Sequence, residues 1–390
     1  METTSAFEGT VCPATDERFD PAISHHPDGR PLDAIYDYDA IELSRERLES
    51  RPAGAGKYAE LLPFPADARP SLGEGGTPLL EAPELAAALD VGRVLVKDEG
   101  SNPTGTFEDR GTALAVAAAA GHGAEDVALA STGNGAQSAA AYAARAGLES
   151  HAFVPARSTF IDKAMINVHG GDMRVVGGRY PDARESFEAA RADEEWYSLQ
   201  PFATPYRHEG MKPVMYELLE GLDWQPPDGV LYPFEGGAGL VGLHKGAREF
   251  RELGLIDDLP PLFACQSTGC APVVEAFDAG APDHDPWATP DTVCGGLELP
   301  DPAGGRLIQT ALRETGGGAV ATDDDDILES AAAVASREGI EMGVSAAAAA
   351  SAAWSVADRF DEDDTLVLVN TSAGSKDADL LRSHLMGQGV

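Results

Sequence analysis

The sequence has few cysteines and no long apolar run, and each absence excludes a class of protein. Its four cysteines (Cys12, Cys265, Cys270 and Cys294) are irregularly spaced, which favours neither a disulfide framework nor a four-cysteine zinc site. No stretch approaches the roughly 18 apolar residues of a membrane span, and the N-terminus lacks the basic start and apolar run of a signal peptide. We therefore expect a cytoplasmic protein with buried, reduced thiols and no metal site.

Positive charge is also scarce. The 390 residues include 65 acidic and 28 basic ones, a formal net charge of -37, and only six of the basic residues are lysine. This charge disfavours nucleic acid and anionic membranes as partners. Molar salt, in which the Debye length is about 3 Å, would screen the self-repulsion. The composition therefore predicts a halophilic protein.

Short β-branched runs alternate with Ala-rich helical stretches from about Val91 onward. This alternation predicts an α/β protein with mostly parallel sheets covered by helices on both faces. In such folds, ligands bind at the carboxyl ends of strands, where helix N-termini begin. Clusters of Gly, Ser, Thr and Asn follow three predicted strands, and we expect these loops to converge on a small ligand: STGNGA (131–136), FEGGAG (234–239) and TSAGS (371–375).

Seven sequence blocks in a fixed order resemble those of threonine synthase, a pyridoxal-phosphate enzyme of the tryptophan-synthase-β structural type. The resemblance covers roughly residues 70–380 and rests on SLGEGGTPLL (71–80), VKDEGSNPTGTFEDRG (96–111), STGNGAQSAAAYAARAG (131–147), HEGMKPVMYELLEGL (208–222), GGAGLVGLHKGAREF (236–250), QSTGCAPVVEAF (266–277) and TSAGSKD (371–377). It implies an enzyme that converts O-phosphohomoserine and water into threonine and phosphate.

The resemblance also implies a domain plan, with pyridoxal phosphate in a cleft between two α/β domains. The large domain would comprise residues 76–106 and 215–390, and the smaller one residues 107–214. Residues 1–75 would form an N-terminal extension that has lost the family's zinc knuckle, because Cys12 has no second cysteine two or three positions on. A homo-oligomer is compatible with this plan.

The family's site residues carry over onto matching positions of this chain. Asn134 would hydrogen-bond the pyridine 3-oxygen, and the hydroxyl of Thr371 would lie beside the pyridine nitrogen. The remaining positions implied by the resemblance are Ser131, Thr132 and Gly133 for the substrate carboxylate, Gly236, Gly237, Ala238 and Gly239 for the cofactor phosphate, and Phe107 beside the cofactor.

One position departs from the family in a way that affects its chemistry. The family's Asn-Pro-Thr-Gly-Ser-Phe-Lys-Asp-Arg-Gly motif carries the lysine that forms the imine with the cofactor, and the aligned residue here is Glu108. A carboxylate has no amine to condense with an aldehyde. Folding should tolerate the change, since we expect Thr106 to cap a helix whose first turn holds Glu108 and Asp109, where negative charge is favourable.

Further departures affect the same cleft. Glu235 aligns with a glycine of the family's phosphate loop, and it would repel a phosphate if its side chain faced inward. The sequence alone does not determine whether the Glu235 side chain points into the cleft or toward solvent. The segment REGIEMGVSAA (337–347) also lacks the Glu-Pro dipeptide that the family tends to carry before Ser-Ala.

These departures leave three hypotheses. The first is a degenerate paralogue that cannot form the lysine imine and binds an amino acid, a phosphate ester or a partner subunit in the old cleft. The second is an active pyridoxal-phosphate lyase acting on O-phosphohomoserine or a related amino acid, using free pyridoxal phosphate with a poor substitute base or an unrecognised lysine. Five lysines offer no obvious replacement, because they fall in blocks where the family carries lysine in other roles: Lys97, Lys163, Lys212, Lys245 and Lys376. The third is a regulatory subunit of an active paralogue.

Overall fold

Apolar β-branched and aromatic runs form the strands of three sheets in the computed structural model, which describes residues 2–23 and 25–387. A three-stranded antiparallel sheet lies in the N-terminal extension, in the order β2-β1-β3. Its strands are β1 (Phe7–Val11), β2 (Arg18–Phe19) and β3 (Asp33–Tyr36), and the short helix α1 (Arg45–Glu49) follows them.

The largest sheet has six strands in the order β12-β11-β10-β13-β5-β4. Five are parallel and β4 is antiparallel to β5. The strands are β4 (Leu79–Glu81), β5 (Arg93–Asp98), β10 (Gly229–Pro233), β11 (Leu262–Ser267), β12 (Gly318–Thr322) and β13 (Thr365–Asn370). Every residue of β10 and β11 is buried, as expected for central strands covered on both faces.

A second, four-stranded sheet is wholly parallel, in the order β8-β7-β6-β9. Its strands are β6 (Asp126–Ala130), β7 (Glu149–Pro155), β8 (Asp172–Val176) and β9 (Tyr197–Ser198). The α/β fold with mostly parallel sheets predicted from the sequence is therefore confirmed. The proposed domain boundaries at residues 75, 106 and 214 stay a prediction.

Helices cover the two larger sheets. They are α2 (Pro83–Leu89), α3 (Glu108–Gly121), α4 (Asn134–Ala146), α5 (Phe160–Val168), α6 (Tyr180–Arg191), α7 (Tyr206–Glu209), α8 (Lys212–Gly221), α9 (Ala238–Glu252), α10 (Pro272–Asp278), α11 (Gly305–Glu314), α12 (Asp324–Glu338), α13 (Ala348–Val356) and α14 (Ala378–Gly387). In the described part of the chain, no helix is both long and apolar enough to cross a bilayer. All four cysteines are free and buried.

The short helix α7 packs closely against both α3 and α9 because glycines face it. A Cβ atom added to Gly111 of α3 would lie 2.6 Å from the carbonyl oxygen of Arg207. One added to Gly242 of α9 would lie 2.6 Å from the carbonyl oxygen of His208. These contacts leave no room for a larger residue, and they hold the Arg207 side chain near the start of α3.

Buried polar contacts join the N-terminal extension to the same helices. The Lys245 ammonium lies 2.6 Å from a carboxylate oxygen of Asp33 and 2.6 Å from one of Glu209. The Tyr36 hydroxyl donates a hydrogen bond of 2.6 Å to the other Glu209 oxygen. The extension is therefore bound to α7 and α9 by charged groups removed from solvent, which salt screens weakly.

Candidate active-site cleft

The loops after β6, β10 and β13 meet at the carboxyl ends of their strands, as predicted. The amide of Phe107, at the start of α3, donates a 2.9 Å hydrogen bond to the carbonyl oxygen of Thr371. The Thr371 hydroxyl in turn donates to Glu235 Oε1 at 3.3 Å. Residues from the first and third loops, including Thr132, Asn134 and Ser372, line one cavity of about 670 Å³. This cavity and the buried residues beside it form the cleft.

Glu108 is the first residue of α3, and its carboxylate forms an ion pair with the Arg207 guanidinium. The Arg207 residue is only 2% exposed and also donates a 3.0 Å hydrogen bond to the carbonyl oxygen of Leu199. Sequence reasoning missed Arg207, which lies one residue before the block that begins at His208. Since the two side chains are 99 residues apart, no local pattern indicates the pairing.

The expected cap of α3 is wrong by one residue. The N-cap is Phe107, whose side chain makes no capping bond. Thr106 accepts a 3.4 Å hydrogen bond from the Glu108 amide, and Asp109 turns back to accept from the Thr104 amide and hydroxyl, at 2.7 and 2.6 Å. The Thr106 hydroxyl thus lies near the Glu108 amide, whereas the Asp109 carboxylate accepts hydrogen bonds from the preceding loop and not from a helix amide.

The Glu235 side chain points inward, which answers the question that the sequence left open. The residue is 7% exposed, and a Cβ atom added to Gly296 in the cavity wall would lie 3.3 Å from its carboxyl carbon. Burial, and then the nearby charge of Glu108, raise the pKa of Glu235 well above its ordinary value. The raised pKa favours the neutral carboxyl, which can donate a hydrogen bond and which lessens the charge repulsion expected from the sequence.

The glycine-rich loop leads into the N-terminus of α9. Gly237 is the N-cap with φ of 81°, and a Cβ atom added there would lie 2.6 Å from Ile308. One added to Gly239 would lie 1.9 Å from the Tyr232 hydroxyl oxygen. The amides of Ala238 and Gly239 belong to the first turn, where helical amides have no intrahelical acceptor and favour an anion. Gly236 faces a neighbouring cavity of about 350 Å³.

The loop after β6 is held by its own hydrogen bonds. Ser131 Oγ accepts from the amides of Gly133 and Ala136, both at 3.1 Å, and so caps the start of α4. Gly133 has φ of 148°, and an added Cβ atom would lie 2.3 Å from a carboxylate oxygen of Asp162. The Oδ1 atom of Asn134 is buried without a hydrogen-bond partner in the described structure. Asn134 Oδ1 can therefore accept a hydrogen bond from a ligand. Ser131 Oγ, in contrast, already accepts two hydrogen bonds from its own loop and helix.

Each of the six lysines is held by protein oxygen atoms. Of these lysines, Lys376 alone lines the 670 Å³ cavity among the described residues. Its ammonium donates to the Thr104 carbonyl at 3.0 Å and Gln137 Oε1 at 2.7 Å and lies 3.1 Å from Asp162 Oδ1. The other partners are Glu220 for Lys57, Glu217 for Lys97, the Ala156 carbonyl for Lys163, Glu209 and Glu249 for Lys212, and Asp33 and Glu209 for Lys245.

One group in the described residues has the geometry of a metal site, comprising Asp33, His208 and Glu209. The ammonium of Lys245 already lies between Asp33 and Glu209, and Lys212 lies 2.8 Å from Glu209. The side-chain nitrogens of Lys245 and Lys212 therefore already lie where a metal ion bound by these carboxylates would have to lie. We interpret the group as a buried ion-pair network that fastens β3 to α7.

Comparison with known proteins identifies the family. The family model described as "Pyridoxal-phosphate dependent enzyme" matches residues 70–372. The threonine synthase of Methanosarcina acetivorans is 34% identical over 349 residues, which cover 89% of this chain and 86% of the relative. That of Methanocaldococcus jannaschii is 34% identical over 357 residues, covering 90% and 88%. This chain belongs to the family of pyridoxal-phosphate dependent enzymes.

Solved structures of other enzymes share the fold. The diaminopropionate ammonia lyase from Escherichia coli has a TM-score of 0.69 and 17% identity, and the match covers 80% of this chain and 88% of that chain. The maize serine racemase has a TM-score of 0.66 and 18% identity, covering 80% and 94%. At these identities the likeness establishes the fold alone.

The cleft of this family member does not fit a pyridoxal phosphate held as an imine. That form requires an amine in the cleft, and the cavity's lysine, Lys376, is held by three oxygens within 3.1 Å. The carboxylate of Glu108 is at the start of α3. The Thr371 hydroxyl, expected at the pyridine nitrogen, already donates to Glu235. The first turn of α9 keeps backbone amides that have no intrahelical acceptor.

Proposed function

We propose that this chain is a threonine-synthase-like protein that binds a small amino acid or phosphate ester in its cleft without forming a lysine imine. The observation that carries the proposal is the ion pair between Glu108 and Arg207. By the family resemblance, Glu108 occupies the position of the imine-forming lysine. A degenerate paralogue of a lyase is the function that best agrees with this pair.

The pair supports the proposal because it gives Glu108 a structural role. Arg207 is almost fully buried, and Glu108 is its carboxylate partner in the described structure. Removing one member of a buried ion pair leaves an uncompensated charge, which destabilises a protein by about 3–5 kcal/mol. Glu108 is thus built into the fold around α7.

A second candidate function is the active lyase acting on O-phosphohomoserine with a substitute lysine. Lys376 favours it, because its side chain lines the same cavity as Asn134. Imine formation, however, would require the Lys376 amine to leave its three oxygen partners. Asp162 is a charge partner, and two further oxygens accept its hydrogens. We therefore favour the imine-free protein.

The residues of the cleft retain means to bind and orient a ligand. Free amides at the start of α9 would hold an anionic group. Asn134 Oδ1 would accept a hydrogen bond, and the carboxyl of Glu235, whose pKa burial raises, would donate one when protonated. If bound, pyridoxal phosphate would supply an electron-withdrawing aldehyde and ring, but the residues at the start of α3 supply no amine to hold it.

Absorbance spectroscopy tests the proposal. Purified protein in concentrated potassium chloride, mixed with pyridoxal phosphate, should give the spectrum of the free aldehyde and no protein imine band near the edge of the visible range. The variant Lys376→Arg should behave in the same way. Glu108→Lys supplies the amine, and an imine band in this variant would show that the rest of the cleft accepts the ring. An imine band in the unmodified protein that is lost in Lys376→Arg would overturn the proposal in favour of the active lyase.

A further inference from the structure

The 670 Å³ cavity of the cleft carries more carboxylates than cations. Four acidic and two basic residues are among the described residues that line it: Asp162, Glu298, Asp377 and Asp379 against Arg157 and Lys376. Neither the glycine-rich loop nor the start of α9 contributes to this described lining. The charged groups that a ligand meets in the cavity are therefore mainly negative, although the family resemblance implies a phosphate ester.

Both cations of the cavity already have protein partners. The Arg157 guanidinium lies 3.0 Å from a carboxylate oxygen of Glu298. The Lys376 ammonium lies 3.1 Å from Asp162 Oδ1 and donates to two further oxygens. Each ion pair offsets one carboxylate of the cavity. An anionic ligand would have to break these pairs to gain a cationic partner.

The two remaining carboxylates, Asp377 and Asp379, form no ion pair within the residues that the structure describes. Asp377 Oδ2 accepts a 2.8 Å hydrogen bond from the Val344 amide. Burial raises the pKa of Asp377 to about 6, and the charge of Asp162 acts in the same direction. A ligand cation beside Asp377 would offset the cost of burying its charge. Asp379 is exposed in the first turn of α14 and can approach the same cation.

Two buried polar atoms of the cavity wall lack hydrogen-bond partners. Ser158 is only 8% exposed, and its Oγ atom has no partner in the described structure. The second is the acceptor Asn134 Oδ1. Because buried polar atoms are normally hydrogen-bonded, these two indicate a polar ligand group. An ammonium can donate to both, whereas an ionised phosphate has only acceptors and cannot satisfy Asn134.

Exposed apolar side chains line the same cavity. Phe160 is 79% exposed, Val293 43% and Ile161 40%, and all three belong to the cavity lining. Apolar groups gathered at the surface of a soluble protein commonly mark a binding site. A ligand with an apolar stem would remove part of this surface from water, which a small inorganic cation would not do.

We propose that this cavity binds a cationic amine on a short apolar stem, such as a basic amino acid, and disfavours phosphate esters. The ammonium would lie beside Asp377 and Asp379, and the stem would cover Phe160, Val293 and Ile161. The inference rests on the proposed function, in which the cleft binds a small ligand without an imine. It narrows that ligand from an amino acid or phosphate ester to one chemical class.

Calorimetric titration of the full-length protein in concentrated potassium chloride tests this class with three ligands: L-lysine, L-norleucine and O-phosphohomoserine. Norleucine has the four-carbon side chain of lysine without its ammonium, so this pair isolates the contribution of the cation. We expect lysine to bind about fivefold or more tightly than each of the other two, as a favourable charge pair allows. A smaller preference over either ligand, or no measurable binding of lysine, would overturn the inference.

Variants assign the preference to its residues. Asp377→Asn retains an oxygen that can accept from the Val344 amide, and Asp379→Asn changes an exposed side chain. In the double variant, the preference for lysine over norleucine should disappear. The matched control is Asp325→Asn, because Asp325 is an exposed acid in the first turn of α12 and is not part of the described cavity lining. The control should keep the full preference.

The outcomes separate this inference from the proposed function. An imine band in the unmodified protein contradicts the proposed function, whichever ligand binds more tightly. Absence of the band together with no preference for lysine contradicts only the inference about the ligand. A preference that survives unchanged in the double variant would also overturn the inference, because the ammonium would then be bound elsewhere.

Discussion

Glu235 is a buried acid whose ionisation opposes folding. Burial and the charge of Glu108 hold its pKa well above the ordinary value of 4.5. The folded protein therefore binds a proton more tightly than the unfolded chain, and its contribution to stability is full below about pH 4.5 and is lost as the pH rises through the folded-state pKa.

Glu235→Gln should remove this pH-dependent loss. We expect the free energy of unfolding at pH 8 to increase, since the variant has no carboxyl that must stay protonated in the folded protein. The gain should shrink toward pH 5. Guanidinium denaturation at both pH values measures it, with the exposed Glu362→Gln as control. A variant less stable than the parent at pH 8 would show that the carboxyl is ionised and needed there.

The structural positions of some residues could be predicted from the sequence, and those of others could not. Glu108 was correctly expected in the first turn of a helix, because the motif and the charge preference are local. The inward orientation of Glu235 and its contact with Thr371 depend on how two strand ends meet. Arg207 has no local signal at all, since its partner lies on another helix, and the N-cap of α3 is Phe107 and not the expected Thr106.

Among the helices, Gly242 of α9 allows α9 to pack closely against α7. A Cβ atom on Gly242 would lie 2.5 Å from the Met211 Cβ and 2.6 Å from the His208 carbonyl oxygen, which are both too close. Gly242→Ala should therefore lower the free energy of unfolding by about 1–3 kcal/mol, even though alanine favours a helix.

Thermal denaturation of Gly242→Ala against Gly177→Ala checks this expectation. Gly177 is a matched control because an added Cβ atom meets nothing within 4 Å there. The Gly177 variant should melt within a degree or two of the parent. If both variants melt together with the parent, α7 and α9 have room to separate, and α7 does not hold Arg207 as rigidly as the contacts indicate.

Elements marked by a clear hydrophobic period or by a cluster of turn residues could be predicted from the sequence, whereas short elements could not. The loops after β6, β10 and β13 were identified because clusters of Gly, Ser and Asn follow apolar runs. Helix α7 has only four residues, too few to show a period, although it carries Arg207. The antiparallel sheet of the extension was also missed, because its strands are short and one contains Gly9 with φ of 127°.

At the scale of the whole molecule, the net charge of -37 predicts that folding depends on salt. Raising potassium chloride from about 0.1 to 1 M shortens the Debye length from about 10 to 3 Å and should weaken repulsion between exposed carboxylates. We expect the melting temperature to rise by several degrees over this range. Sucrose at matched osmolality, which does not screen charge, should raise it less. A protein most stable in dilute buffer would contradict halophilic adaptation.

The proposed function requires that no lysine of this protein hold pyridoxal as an imine. The most direct measurement is the intact mass of the protein after incubation with pyridoxal phosphate and reduction with borohydride, which makes any imine permanent. We predict an unchanged mass for the parent protein and the added mass of one reduced cofactor for Glu108→Lys. A stoichiometric adduct on the parent, mapped to Lys376 or any other lysine, would contradict the proposed function.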